Sequence, residues 1–537
     1  MQWMNHLIIA PILLPLLLAG VLMLVDIRRH RIKFAISFTS VVLQLLIAAY
    51  LFSLTYQNTW PNDVGVYQAA NWPAPFNISL VLDRLSAMML ILSAVVALAV
   101  LLFSWTRWSR SGIHFHSLLQ FLLMGINGSF LTADLFNLFV FFEVMLAASY
   151  GLILNTYTST RIRAGLQYIA INLVASCFFL LGIALIYAAT GSLSMADIAN
   201  KVPDLLDNQR LLMHAGASLL AVALLTKCAM WPLGFWLPTT YSANSAPVAA
   251  LLALLTKVGV FVVLRLWTLT FSADAGDSAF FGSELLFYGG IATLIYGSVG
   301  LLASQEPMRM ASFSAIISTG ILLSGFSYAQ AALNSAGLYY LISSTLGLVA
   351  LILLIELVER IRTPSANLLA ITMEAFAIED STPDEAVGVT IPAAMALMGL
   401  AFFTCALIIA GLPPFSGFVA KFGIFHGLLN PAPGFTLLGQ SWFLIVLIFV
   451  SGLAAIIALM RFGVRTFWAF EGTSPRLPLS EIGPVYVLLG LCIALTLGAG
   501  IVFEMLAPIS QQLENPKAYI DSVLSTPSVA TAQELIP

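Results

Sequence analysis

Charge is what this sequence has least of. Only 9% of its 537 residues are Asp, Glu, Lys or Arg, while 60% are apolar; a soluble domain has about a quarter of its residues charged. That composition excludes a water-soluble globule and places the chain in a bilayer. The net charge of -3 comes without any long basic run, which removes nucleic acid and acidic substrates from consideration. Cysteine is equally scarce. Cys177, Cys228, Cys405 and Cys492 stand singly in apolar stretches, with neither the CxxC spacing of iron–sulfur or zinc sites nor a disulfide pattern. They read as core thiols, and no cofactor or metal motif is expected anywhere in the chain.

What the sequence has in abundance is apolar length. Windows of about 20 residues, the length a helix needs to cross the hydrocarbon core, mark spans at 7–25, 34–55, 78–103, 116–132, 135–154, 164–189, 212–237, 247–271, 284–303, 311–329, 335–358, 390–429, 442–460 and 483–505. The fold class that follows is an all-α integral membrane protein of about 14 transmembrane helices. The first span reads as a crossing and not a cleaved leader, because Arg28, Arg29, Arg31 and Lys33 follow it instead of preceding it.

Positive charge orients these spans. With both termini outside, the cytoplasmic loops take Arg28, Arg29, Arg31, Lys33, Arg107, Arg110, Arg161, Arg163, Arg309, Arg360, Arg362, Arg461, Arg465 and Arg476, which is 14 of 22, and the outer segments take only Lys201, Arg210 and Lys517. Such an excess is what cytoplasmic loops carry, so the expectation is a bacterial inner-membrane protein with both termini on the periplasmic face. Five cations remain inside spans. Arg84, beside Asp83, and Arg265 lie near span ends and are expected to snorkel or pair; Lys227, Lys257 and Lys421 lie too deep for that.

The stretch 390–429 would measure about 60 Å as one helix, twice the hydrocarbon core. It is interrupted by AGLPPFSGF, with Pro413 and Pro414, and the charge count favours one crossing made from a broken helix. WPLGFWLP, with Pro232 and Pro238, is a similar interruption just after Lys227; proline removes a backbone donor and frees carbonyls, which survive at membrane depth only where protein or a water-filled cavity satisfies them. Broken helices in corresponding places are the mark of inverted repeats. The expected organisation is therefore helices 1–3 over residues 1–110, one five-helix repeat over 111–272, a second, inverted, over 273–462, and a last helix with a polar tail over 463–537, with helices 7 and 12 broken.

A charged side chain at mid-membrane costs about 2.5–3.5 kcal/mol even on lenient scales, and desolvation favours the neutral form of acids and amines alike. Such groups exchange protons readily. Glu143, in NLFVFFEVMLAASYGL, lies near the centre of its span, as Lys257 does. Glu143, Lys227, Lys257 and Lys421 are the candidate relay, with a structural ion pair as the bland alternative. His426 extends the row or is a core histidine. Glu356 and Glu359 with Arg360 read as a snorkelling cluster, Asn127, Asn137 and Asn172 as glue between helices, His114 and His116 as residues of a cytoplasmic loop or its edge, EDSTPDEA at 379–386 as a solvated loop, and the tail after about 508 as an outer extension.

TADLFNLFVFFEVMLAASYGL, LLTKCAMWPLGFWLP, APVAALLALLTKVGVFVVLR and LPPFSGFVAKFGIF resemble the core of the antiporter-like proteins, which include the proton-pumping membrane subunits of complex I and the large subunits of multi-subunit Mrp- or Pha-type cation/proton antiporters. The likeness runs over about residues 75–465, and FFEVMLAASYGL with YYLISSTLGLVALILLIELVER is most similar to the D-subunit branch. What the resemblance implies is a pairing of Glu143 with Lys227 and a polar axis continuing through Lys257 to Lys421. Asp134, which opens the first of these stretches, joins the auxiliary candidates. The family's histidines are missing: Gly234 stands in PFHxWLP, Ser318 in SSISHxG, and LISSTLGLV replaces HxxxK. Water, or hydroxyls such as Ser318, Ser343, Ser344 and Thr345, is expected to fill those places.

Two functions follow. One is a proton-translocating secondary-transporter subunit exchanging protons for Na+ or K+ alongside other antiporter subunits and membrane lipid. The other is a proton-pumping membrane subunit of complex I or a membrane-bound hydrogenase. A scaffold that merely retains the charges is the third and least economical reading. No enzymatic site is expected in the chain itself.

Overall fold

The computed structural model describes residues 2–26, 28–57, 59–69, 78–105, 114–155, 158–361, 393–430, 438–467 and 478–526. The acidic stretch 379–386 and Arg107, Arg110, Arg362 and Arg476 lie outside the described residues. Among the described residues, thirteen helices are long and apolar enough to cross a bilayer. A shorter apolar helix, Phe115–Leu131, has 17 residues, the lower limit for a crossing. The chain is a multi-pass membrane protein.

In chain order the elements are α1 (Met4–Leu24), α2 (His30–Leu54), β1 (Gly65–Ala69), β2 (Ile78–Leu82), α3 (Arg84–Ser104), α4 (Phe115–Leu131), α5 (Leu135–Leu154), α6 (Ser159–Thr190), α7 (Met195–Lys201), α8 (Asp207–Lys227), α9 (Trp236–Ala243) and α10 (Ala246–Thr270). They continue as α11 (Ser283–Ala303), α12 (Pro307–Phe326), α13 (Ala331–Ile361), α14 (Ala393–Ala410), α15 (Ser416–Leu429), α16 (Leu438–Phe467), α17 (Leu479–Leu497), α18 (Ala499–Glu514) and α19 (Lys517–Leu524). One succession occurs twice: two helices, a long helix, a helix broken in two, and another helix. It runs through α4–α6, α8/α9 and α10, and again through α11–α13, α14/α15 and α16.

Three expectations about the elements need correction. The fold is not purely helical, because residues 78–82, read from sequence as the start of a span, form a strand that pairs antiparallel with β1, Gly65 opposite Leu82. ISLVL is apolar and β-branched enough for either state, and the helix begins only where Asp83 caps it by accepting the Ser86 N–H at 2.9 Å. The span expected at 483–505 ends at Gly498, after which α18 starts afresh. The tail does not begin at about 508: α18 runs on to Glu514, and Ser335 Oγ in α13 donates to Ser510 Oγ within it at 2.7 Å.

Both ends of the chain lie on one face. Trp60 Nε1 donates to Asn5 Oδ1 at 2.8 Å, and Asn62 Nδ2 donates to Ser522 Oγ at 3.2 Å, so the N-terminus, the hairpin region and α19 meet. The centre of the bundle is α10, buried along its whole apolar window, flanked by α12 and α13. The outer helices expose apolar side chains, Phe449 and Leu453 in α16 among them, and Cys177 is exposed as well, which corrects its reading as a core thiol. A side chain facing lipid is as apolar in sequence as one facing the core.

Ion pairs brace the ends of the helices. Arg84 pairs with Asp63 at 2.7 Å. Arg265 pairs with Asp83 at 2.5 Å and so does not snorkel. Glu356, expected to snorkel, is buried: it accepts the Ala246 N–H at 3.1 Å, capping α10, and pairs with Arg360, which also holds Glu481 at 2.7 Å. Asn127 is glue, as expected, donating to Pro11 O and Gln44 Oε1 and accepting from Ser93. Asn172 instead bonds within its own helix, to Tyr168 O. Lys33, assigned to a loop, is buried in the first turn of α2, and His116, at the edge of its loop, is buried in the first turn of α4.

Candidate functional site

Besides Lys33 in the first turn of α2, three lysines are buried among the described residues, and each is held differently. Lys227 is the last residue of α8. Beyond it the backbone turns left-handed at Ala229, φ 59°, and the loosened groups find partners one by one. Met230 N–H donates to Leu225 O at 3.0 Å, Trp236 Nε1 donates to Thr226 O at 3.1 Å, and Trp231 N–H donates to Thr293 Oγ1 of α11 at 2.9 Å. The break is therefore satisfied by protein, as irregular backbone at membrane depth requires. Pro232 lies in the turn. Pro238 does not: it sits in the first turn of α9, where its missing N–H costs nothing.

Lys227 Nζ is buried with no hydrogen-bond partner. It lies 5.4 Å from the Phe142 ring centroid, and the charge nearest to matching it is Glu143, the next residue in α5. Glu143 in turn accepts a very short hydrogen bond from Ser176 Oγ of α6. Carboxylate and ammonium are thus brought together but not joined: the charges attract across a gap while the carboxylate is held by a hydroxyl.

Lys257, at the middle of α10, is fully buried. Its Nζ donates to Ser318 Oγ of α12 at 2.6 Å, and Ser318 Oγ donates to Ser344 Oγ of α13 at 3.0 Å. The chain of donors runs in one direction across three helices and ends on Leu341 O. The neighbouring Ser343 shares a hydrogen bond of 2.7 Å with Ser416, the first residue of α15, so adjacent hydroxyls of α13 serve the two lysine-bearing regions. Thr345 only bonds back to Leu341 O within its helix.

Lys421 is buried in α15 and reaches back over the second break. Its Nζ donates to Ala410 O at 2.7 Å and to Ile409 O at 3.4 Å, the terminal carbonyls of α14, where a cation is favoured. Pro413 and Pro414 lie in the break. Gly411 has φ 78°, and a Cβ there would collide with Lys421 Cδ. Neither Lys257 nor Lys421 takes part in an ion pair among the described residues, so the bland alternative does not describe them.

Two auxiliary candidates fall elsewhere. His426 is exposed: five residues after Lys421 is about 140° around a helix, which turns it away from the row. Asp134 caps α5, accepting the Asn137 N–H at 2.7 Å, and burial raises its carboxyl to about 6. Sequence reasoning missed Cys228, a buried thiol whose nearest charges are Lys227 and Lys257, and the carbonyl seat of Lys421. It also gave no reason for Gly234. A Cβ there would collide with Ala229 O, so in this turn the position has no room for a side chain. Among the described residues no three His, Cys, Asp or Glu gather as metal ligands.

Residues 132–454 match the family model described as NADH:quinone oxidoreductase/Mrp antiporter, transmembrane. The chain is 49% identical to the D subunit of a probable K(+)/H(+) antiporter of Rhizobium meliloti, over 98% of this chain and 99% of that one. It is 34% identical to the D subunit of a Na(+)/H(+) antiporter of Alkalihalophilus pseudofirmus, over 97% of this chain and all of that one. Its fold is similar to a chain of the Mrp complex from Dietzia, with a TM-score of 0.83 and 24% identity, covering 98% of this chain and 100% of the other.

Proposed function

The chain belongs to the NADH:quinone oxidoreductase/Mrp antiporter family of membrane subunits, and from that premise we propose that it is the proton-translocating D subunit of a multi-subunit monovalent cation/proton antiporter. The observation that carries this reading is the Lys257–Ser318–Ser344 chain: a fully buried amine without a counter-ion, donating into hydroxyls that each accept one proton and give another. The antiporter is favoured over a complex I subunit by the named relatives, which are antiporter subunits along almost their whole length.

Protons pass along Glu143, Lys227, Lys257 and Lys421. A charged amine in a dry interior is costly, and an approaching carboxylate offsets that cost while a receding one restores it. When Glu143 closes on Lys227 the ammonium is held; when it withdraws, the proton moves on towards Lys257, past Cys228. From Lys257 the hydroxyls of Ser318 and Ser344 carry it to α13, whose Ser343 meets the helix of Lys421. The two successions of helices are inverted repeats with their broken helices at the centre, and the excess of arginine in one set of loops places the termini on the outer face of a bacterial inner membrane. The partners are the other antiporter subunits, lipid, protons and Na+ or K+. The chain is a transporter subunit and not an enzyme.

The test is cation-driven proton movement in inverted vesicles holding the assembled complex. Lys257→Ala abolishes it while the complex stays assembled; undiminished exchange in that variant contradicts the reading.

A further inference from the structure

Eight residues beyond Lys257 on α10, a rise of about 12 Å, lies a second buried cation towards the face that bears both termini. Arg265 Nη2 donates to Asp83 Oδ2 at 2.5 Å and approaches Ser86 Oγ at 3.5 Å. Asp83 is 1% exposed and Arg265 8%. Beside them is a cavity of about 10 Å³ walled by Ser86, Ser129, Thr132, Arg265, the Phe130 and Phe261 rings and Tyr519. That is room for about one water. The three hydroxyls donate to backbone carbonyls, of Phe130, Gly125 and Asp134 respectively; Thr132 Oγ1 already accepts from the Asp134 N–H and from Asn137 Nδ2 and Ser86 Oγ from Arg265, which leaves Ser129 and the second lone pair of Ser86 as acceptors, while the guanidinium is a donor. A water there has partners of both kinds.

Two aromatic closures bound the cavity. Towards Lys257, Phe130 and Phe261 meet edge to face with centroids 4.9 Å apart. Towards the termini, Tyr519 of α19 lies with its ring centroid 5.1 Å from the Arg265 guanidinium carbon, and it is itself buried. A simple brace accounts for the ion pair. It does not account for a space lined by hydroxyls and a guanidinium as well as by apolar side chains, set between two aromatic contacts and next to α19.

We propose that this space is a water site on a route between Lys257 and the terminus-bearing face, closed on the outside by Tyr519 and positioned by the Asp83–Arg265 pair. The inference rests on the reading of Lys257 as a proton carrier. It gives α19 a task, that of a cover whose displacement opens the route.

Thiol accessibility in the assembled complex tests it. Ser129→Cys, in a chain also carrying Cys177→Ser, is exposed to a membrane-impermeant maleimide from either side, in whole cells and in inverted vesicles. The expected result is no labelling with Tyr519 in place, and labelling from the terminus-bearing face alone once Tyr519→Ala is added, together with a gain of cation-independent proton leak. Labelling with Tyr519 present, or none after its removal, overturns the proposal. Thr132→Cys is the second probe should Ser129→Cys fail to assemble. Accessibility does not depend on exchange, so labelling is also read in the Lys257→Ala chain: unchanged exchange there removes the relay, whereas unchanged labelling after Tyr519→Ala removes only the cover.

Discussion

The two broken helices solve one physical problem in opposite ways. At the first break, neutral groups satisfy the freed backbone, Trp236 and Thr293 from outside the helix, and the ammonium of Lys227 is left with no hydrogen bond. At the second, the ammonium itself is the cap: Lys421 holds the carbonyls of Ala410 and Ile409. A lysine spared structural work is free to trade its proton with Glu143. A lysine that seals a helix end gives up its proton at the expense of that seal, which couples protonation at this break to backbone geometry. In the proposed relay the difference makes Lys227 the mobile member and Lys421 the conformational one.

The largest expected effect comes from removing the mobile partners. Lys227→Ala or Glu143→Ala eliminates cation-driven proton movement in vesicles, while the complex, measured by co-purification, assembles normally. Next is the seal: Gly411→Ala forces a side chain into a left-handed position against Lys421, a strain of about 1–3 kcal/mol, read as a lower unfolding temperature of the complex along with reduced exchange. Ser318→Ala leaves the Lys257 ammonium without its hydroxyl, and loss of a bond to a charged group costs about 1.5–3 kcal/mol; exchange slows with assembly intact. Thr293→Val orphans the Trp231 N–H at the first break for about 1–3 kcal/mol, seen in stability and not in the proton dependence of exchange. An equal loss of stability in Thr293→Val and Lys421→Ala, with equal exchange, would erase the contrast between the two breaks.

A further effect concerns pH. The Asp134 carboxyl is raised from 3.8 to about 6 by burial. Its protonated form is favoured in the folded state, so its contribution is fully present below pH 3.8 and is lost as pH rises through about 6. Asp134→Asn keeps a capping oxygen and flattens stability across that window, measured by thermal unfolding at stepped pH.

The titratable groups were legible because a Lys or Glu in an apolar run contradicts its surroundings, and the proline-rich breaks because they interrupt a period. The seats of those groups were not. Thr293 and the Ala410 carbonyl lie 62 and 11 residues from the groups they serve, and nothing local marks either as a partner. The hydroxyls of Ser318 and Ser344 stand among the expected substitutes for the absent histidines, and the structure brings Ser318 to Lys257 and Ser344 to Ser318. His426 was misplaced by ignoring helical phase, and β2 by treating an apolar pentapeptide as the start of a helix. Cys177 failed for the reason that limits all such reading in membranes: outward and inward faces are equally apolar. Arg265 and Asp83 are 182 residues apart, and their pairing follows from topology alone.

The most direct test of the account is Lys227→Arg. Arginine keeps the positive charge beside Glu143 but does not release a proton in proteins. If Lys227 serves by passing protons, inverted vesicles with the assembled Lys227→Arg complex show no cation-driven proton movement, as with alanine. If they exchange at the rate of the unaltered protein, the charge and not the proton is what the position supplies, and the relay is wrong.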